Sequence, residues 1–120
     1  MSIILYGIPN CNTVKKTMNW LTENQISYQF HNFRKDGITK TLIKDWTQQT
    51  NWEQLVNKKS ATWRNLEQSE KDGLKNVSAA IDLLYQHPTL IKRPVITQEN
   101  KIISIGFEED QLKELKNKSN

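Results

Sequence analysis

Hydrophobic and polar positions along the chain change period several times, and each change marks an element. Ile3-Ile-Leu-Tyr6 is a continuous apolar run rich in β-branched residues and bounded by Gly7-Ile-Pro9, which predicts a strand buried on both faces. Val14, Met18 and Leu21 then recur at i, i+4 and i+7, one face of a helix reaching about Asn24. Ile26, Tyr28 and Phe30 alternate with Ser27, Gln29 and His31, the period of a half-buried strand. Strand, helix and strand in close succession make a βαβ unit, with parallel pairing and a right-handed crossover.

Arg34-Lys-Asp-Gly37 reads as a turn, after which Thr39 is a good N-cap with Ile38 and Ile43 placed as a hydrophobic staple. Leu42, Ile43 and Trp46 form the buried face of a helix ending near Thr50. From Asn51 to Gln68 the pattern is irregular. Trp52, Leu55, Val56, Trp63 and Leu66 anchor one or two short helical turns around the polar Asn57-Lys-Lys-Ser60. Ser69 reads as the cap of a further helix, with Asp72 three residues on, a stripe of Leu74, Val77, Ile81 and Leu84, and His87-Pro88 as its stop. Pro94-Val-Ile-Thr97 and Lys101-Ile-Ile-Ser-Ile105 flank Gln98-Glu-Asn100 as a hairpin. Glu108-Glu-Asp110, Leu112, Leu115 and trailing lysines make a final helix with charges matched to its dipole.

The order is βαβ, a helical insert, then ββα, which implies an α/β fold on a mixed four-stranded sheet. The expected organisation is one domain over 1–120, its core built from 1–34 and 90–120 and its all-helical insert from 38–88. A cysteine at the first strand-to-helix turn and an Arg-Pro before the third strand make this a thioredoxin-like arrangement. In that arrangement the proline is cis and faces the cysteine.

Composition narrows the class. At 120 residues, 36% apolar and 25% charged, with four Gly and three Pro, the chain is neither fibrous nor disordered. The run Ile3–Tyr6 is too short for the core of a signal peptide, and no run approaches the ~18 apolar residues of a membrane span. The single cysteine fits a reducing compartment, so a cytoplasmic monomer without a membrane partner is expected. The net charge of +4 is carried by scattered lysines and arginines among acidic residues. That reads as a solvated mixed surface rather than a nucleic-acid footprint, and it suits an anionic small substrate.

The chemistry centres on Cys11. A lone cysteine is most simply a small buried hydrophobe, but this one stands where a turn delivers it to a helix start. Unpaired N–H groups and the positive end of the helix dipole favour thiolate there, and Lys15 and Lys16 follow. Lys15 falls one turn below Cys11 on nearly the same face and is assigned to the anion site, while Lys16 reads as solvated surface. Asn12 and Thr13 are candidate hydrogen-bond donors at the helix start. Arg93, beside Pro94 and just before a buried strand, offers a planar fork for a carboxylate or oxyanion; an ion pair with a loop aspartate is the plainer alternative. Arg64 follows Trp63 and could stack on its indole. His31 and His87 lack the spacing of a metal site, His87 reading instead as a helix C-cap, and the four tryptophans read as core or core edge.

Four segments carry a family likeness: Tyr6-Gly-Ile-Pro-Asn-Cys-Asn-Thr-Val-Lys-Lys16, Ala61-Thr-Trp-Arg64, His87-Pro-Thr-Leu-Ile-Lys-Arg-Pro94 and Ile105-Gly-Phe107. Together they resemble the arsenate reductase/Spx family, and its YffB-like branch in particular. The resemblance implies a thioredoxin-like sheet with a helical insert and one nucleophilic cysteine near Arg93. With the reading of the helix start, the expected substrate- or anion-binding residues are Asn12, Thr13, Lys15, Arg64, Arg93 and Pro94. In the arsenate reductases the cysteine attacks arsenate held by three arginines, with glutathione and glutaredoxin completing the reduction. Here Arg93 matches one arginine, Arg64 lies a few residues from where another is expected, and Gly106 stands at or near the third. Gly7 replaces a histidine of those enzymes, and Val14 replaces the second cysteine of the Spx redox pair. The resemblance therefore implies a monothiol thiol reductase with glutathione as co-substrate and no bound cofactor. The other readings it leaves open are an arsenate-type oxyanion reductase and a non-catalytic regulator docking on the RNA polymerase α subunit.

Overall fold

A computed structural model describes residues 3–119 of the protein, with side chains over 3–115. The chain forms two compact units, one made of 1–37 with 93–120 and the other of 38–92.

The first unit is the α/β layer. Strands β1 (Ile3–Gly7), β2 (Gln29–Asn32), β3 (Val95–Gln98) and β4 (Lys101–Ile105) form one sheet in the order β2-β1-β3-β4. β1 runs parallel to β2 and antiparallel to β3, with Leu5 opposite both Phe30 and Ile96. This is the mixed sheet of the thioredoxin-like fold. Helices α1 (Asn12–Glu23) and α7 (Glu109–Ser119) flank it in sequence. Leu5, Val14, Leu21, Ile96, Leu112 and Leu115 are fully excluded from water and form one cluster with Ile3 and Ile26. Each such side chain contributes about 1.5–3 kcal/mol relative to its exposed state. The side chains of Lys116 and Lys118, expected to complement the end of α7, lie outside the described residues.

Two local features depart from the periodicity. β2 begins at Gln29, so Ile26 is not a strand residue. It closes α1 instead: Ile26 N–H donates to Leu21 O at 2.9 Å and Gln25 N–H to Thr22 O at 3.0 Å, with Gln25 at φ 59°. That is a Schellman stop, with Ile26 and Leu21 as its apolar pair. Arg34–Gly37 is not a bare turn but part of a short helix, α2 (Phe33–Asp36), capped by Asn32 Oδ1 accepting from Arg34 N–H at 2.9 Å. The β3–β4 hairpin turns on Glu99 (φ 54°) and Asn100 (φ 67°), the left-handed pair that matches strand twist.

The second unit is helical apart from a single bridge between Val56 and Ile91. α3 (Lys40–Gln49) starts as expected, with Thr39 Oγ1 accepting from Leu42 N–H at 3.1 Å. Ile43 and Trp46 are fully buried and Leu42 half-buried. A 3₁₀ turn (Trp52–Gln54) and α4 (Ala61–Asn65) flank the polar loop. The helix expected to start at Ser69 is two helices: α5 (Gln68–Asp72), capped by Glu67 and Glu70, and α6 (Val77–Gln86), capped by Asn76 Oδ1 on Ala79 N–H at 2.9 Å. Gly73 lowers helix propensity at the break, and Asn76, as good a cap as a serine, restarts the helix after it. The stripe moves with it: α6 buries Ala80, Leu83 and Leu84 and leaves Val77 43% exposed. No helix among the described residues is long and apolar enough to cross a membrane.

Candidate functional site

The site is built where β1 ends. Gly7 and Ile8 are buried, Pro9 and Asn10 exposed, and the chain turns there into α1 with Cys11 as its N-cap at φ −134°, ψ 121°. An N-cap residue directs its side chain at the amides two and three residues on, here Thr13 and Val14. The half-buried thiol closes no cap hydrogen bond of the kind a serine makes, yet both N–H groups act on its sulfur. Burial pulls the thiol upward and is the largest single influence. It is outweighed by the Val14 N–H, by the Arg93 guanidinium through a hydrogen bond and its charge, and by the Thr13 N–H. The net result is a thiol held below its ordinary range.

Arg93 reaches the sulfur from two residues before β3, and the Arg93–Pro94 peptide is cis, as the arrangement required. Pro94 is buried, and its carbonyl accepts from Gly106 N–H at 2.8 Å. Gly106, at φ 80° and buried, occupies a left-handed conformation that an arginine would hold only under strain. Gly7 is tight for a different reason: a Cβ there would stand 2.9 Å from Val14 Cγ2. Two positions where the resemblance expects a basic or imidazole side chain are thus closed by backbone and packing.

Around this centre, Asn12, Thr13 and Lys15 are exposed on the first turn of α1, Thr13 acting through its amide. The groups acting on the thiol are the two amides and Arg93, and do not include Lys15. Lys16 is not simply solvated: its Nζ lies over the Phe107 ring, 4.6 Å from the centroid. Arg64 belongs to the helical unit, where it is exposed and its Nη1 donates to Lys59 O at 3.1 Å. The cations on the Trp63 indole are Lys58 and Lys71, at 5.4 and 5.5 Å, rather than Arg64. His87 caps α6 as expected, and its Nε2 stands 3.4 Å from Glu70 Oε2. His31 packs on Tyr6, ring centroids 4.9 Å apart, with Nε2 bonded to Gly37 O at 2.8 Å.

The Val14 amide is the largest single lowering influence on the thiol, and because it acts through the backbone its apolar side chain gives no sign of the role. Counting from a cysteine N-cap finds it, since the third helical residue is the usual donor.

A family model described as the ArsC family matches residues 6–115. The chain is 43% identical over 109 residues to an uncharacterized protein of Haemophilus influenzae, covering 91% of this chain and 94% of that one. It is 26% identical over 113 residues to the global transcriptional regulator Spx of Lactiplantibacillus plantarum, covering 92% and 83% respectively. The solved structure of a YFFB protein matches with a TM-score of 0.89 at 31% identity, covering 95% of this chain and 98% of that one.

Proposed function

The chain belongs to the ArsC family, and we propose that within it the protein is a monothiol thiol/disulfide reductase that uses glutathione. One observation carries the reading: Cys11, the sole cysteine, is an N-cap whose thiol is drawn towards thiolate by the Val14 and Thr13 amides and by Arg93. In the first step the Cys11 thiolate attacks the glutathionyl sulfur of a mixed disulfide. A Cys11–glutathione disulfide forms, and the substrate leaves as a thiolate that takes a proton from water. Without a second cysteine, a free glutathione thiolate then attacks the glutathionyl sulfur, releasing oxidised glutathione and restoring the Cys11 thiolate. The sum is one mixed disulfide and one glutathione converted to one free thiol and one oxidised glutathione. Arg93 supports both steps, stabilising Cys11 first as nucleophile and then as leaving group.

The test is turnover of a glutathionylated peptide by glutathione, followed as oxidised glutathione formed. Wild type is expected to exceed the uncatalysed rate and Cys11→Ser to match it. A wild-type rate equal to the uncatalysed one overturns the reading. Arsenate binding serves as the control for the oxyanion alternative, which the closed positions at Gly7 and Gly106 disfavour.

The likeness to Spx supports a second reading, a regulator that docks on the RNA polymerase α subunit. Val14 at the second redox position leaves no internal disulfide to switch it. Capture of the α subunit by wild type and Cys11→Ser alike, together with absent turnover, would favour that reading.

A further inference from the structure

Gly7 ends β1 in a buried position, and its backbone does not adopt the left-handed region that favours glycine. Space, not dihedral freedom, is what requires glycine here. A Cβ built on it would meet Val14 Cγ2 at 2.9 Å, with Val14 Cγ1 at 3.6 Å and Leu5 Cδ2 at 3.9 Å. The first of these is closer than real Cβ contacts come, so one partner would have to move. Val14 is fully buried in the cluster with Leu5, Leu21 and Ile96, and a valine in a helix has one strongly preferred rotamer. It cannot swing aside without striking other core atoms, so a displacement passes into its own backbone. That backbone is the third residue of α1, whose N–H faces the Cys11 sulfur.

We propose that Gly7 is a positioning residue for Cys11: with no side chain at 7, Val14 seats against β1 and its amide is held at the sulfur. A side chain at 7 lifts the first turn of α1 and weakens the grip of that amide on the thiolate. The inference rests on Cys11 acting as a thiolate, and it gives a physical reason why this chain has no side chain four residues before its cysteine. Arg93, Lys15 and Lys16 are unchanged by the substitution, so the effect runs through Val14.

The experiment is the pH dependence of Cys11 alkylation by iodoacetamide, run as a double-mutant cycle over wild type, Gly7→Ala, Val14→Ala and the pair. Gly7→Ala is expected to move the midpoint upward and to slow alkylation near pH 6 by roughly three- to tenfold, leaving the high-pH plateau unchanged. On the Val14→Ala background, where the clashing methyls are gone, the same substitution is expected to shift the midpoint little. An unmoved midpoint in Gly7→Ala, or an equal shift on both backgrounds, overturns the proposal. Should Gly7→Ala alone not fold, comparison of the pair with Val14→Ala decides: coincident profiles support the clash, and a shifted one refutes it. Wild-type alkylation with an ordinary thiol profile would instead remove the thiolate reading itself, so the two failures are distinguishable.

Discussion

Replacing Arg93 with glutamine should make the Cys11 thiol slower to alkylate, and the size of the effect follows from the site. Arg93 acts on the sulfur twice, as a hydrogen-bond donor and as a charge. Hydrogen bonds to charged groups contribute about 1.5–3 kcal/mol. Cys11 is only half-buried, so solvent screens the pair and roughly 1–1.5 kcal/mol is the reasonable share. At about 1.36 kcal/mol per tenfold, alkylation below the ordinary thiol range should slow roughly five- to thirteenfold. Burial, which opposes the thiolate, would then face only the Val14 and Thr13 amides. The assay is the second-order rate with iodoacetamide between about pH 5 and 9, read by mass spectrometry. Arg93→Lys should fall between wild type and Arg93→Gln, because it keeps the charge but loses the planar fork. A rate profile in Arg93→Gln indistinguishable from wild type would refute the electrostatic account of the site.

The same thiol links stability to pH. Its folded value lies below its unfolded one, so its contribution is full above the ordinary thiol range of about 8.5 and is lost as pH falls through the folded value. The melting temperature of wild type minus that of Cys11→Ser should therefore rise with pH, and a flat or falling difference would contradict the shift. Gly106→Ala forces a side chain into φ 80° at a buried position and should destabilise by about 1–3 kcal/mol in denaturant titrations. Asn76→Ala removes the cap of α6 and should lower stability by about 1 kcal/mol. Ser69→Ala should change it by under about 0.5 kcal/mol, because Ser69 lies exposed inside α5; the reverse order would restore a single helix from Ser69.

Much of the fold is written locally. The buried run of β1, the amphipathic face of α1, the Thr39 cap and the hairpin after Pro94 depend on neighbours within a turn or two, so periodicity and capping chemistry expose them. Failures occur where two local signals compete. Ile26 fits a strand alternation and a Schellman stop equally well, and packing on Leu21 settles it. Ser69 and Asn76 are both plausible caps, and the break at Gly73 chooses Asn76. Thr17, polar by type, is fully buried because its hydroxyl donates to Thr13 O at 2.8 Å, which no hydropathy pattern announces.

The site divides the same way. That Cys11 opens a helix is determined by the sequence, because a cap is a matter of adjacent residues. How acidic that thiol becomes is decided only by the tertiary structure. It depends on burial set against the Val14 amide and on Arg93, which arrives from just before β3, far along the chain. The absence of side chains at Gly7 and Gly106 is visible in the sequence, but its reasons are spatial: one position faces Val14 at 2.9 Å, the other sits at φ 80° beneath Pro94 O. Local chemistry supplies the groups, and close packing of distant segments fixes what each can do to the sulfur.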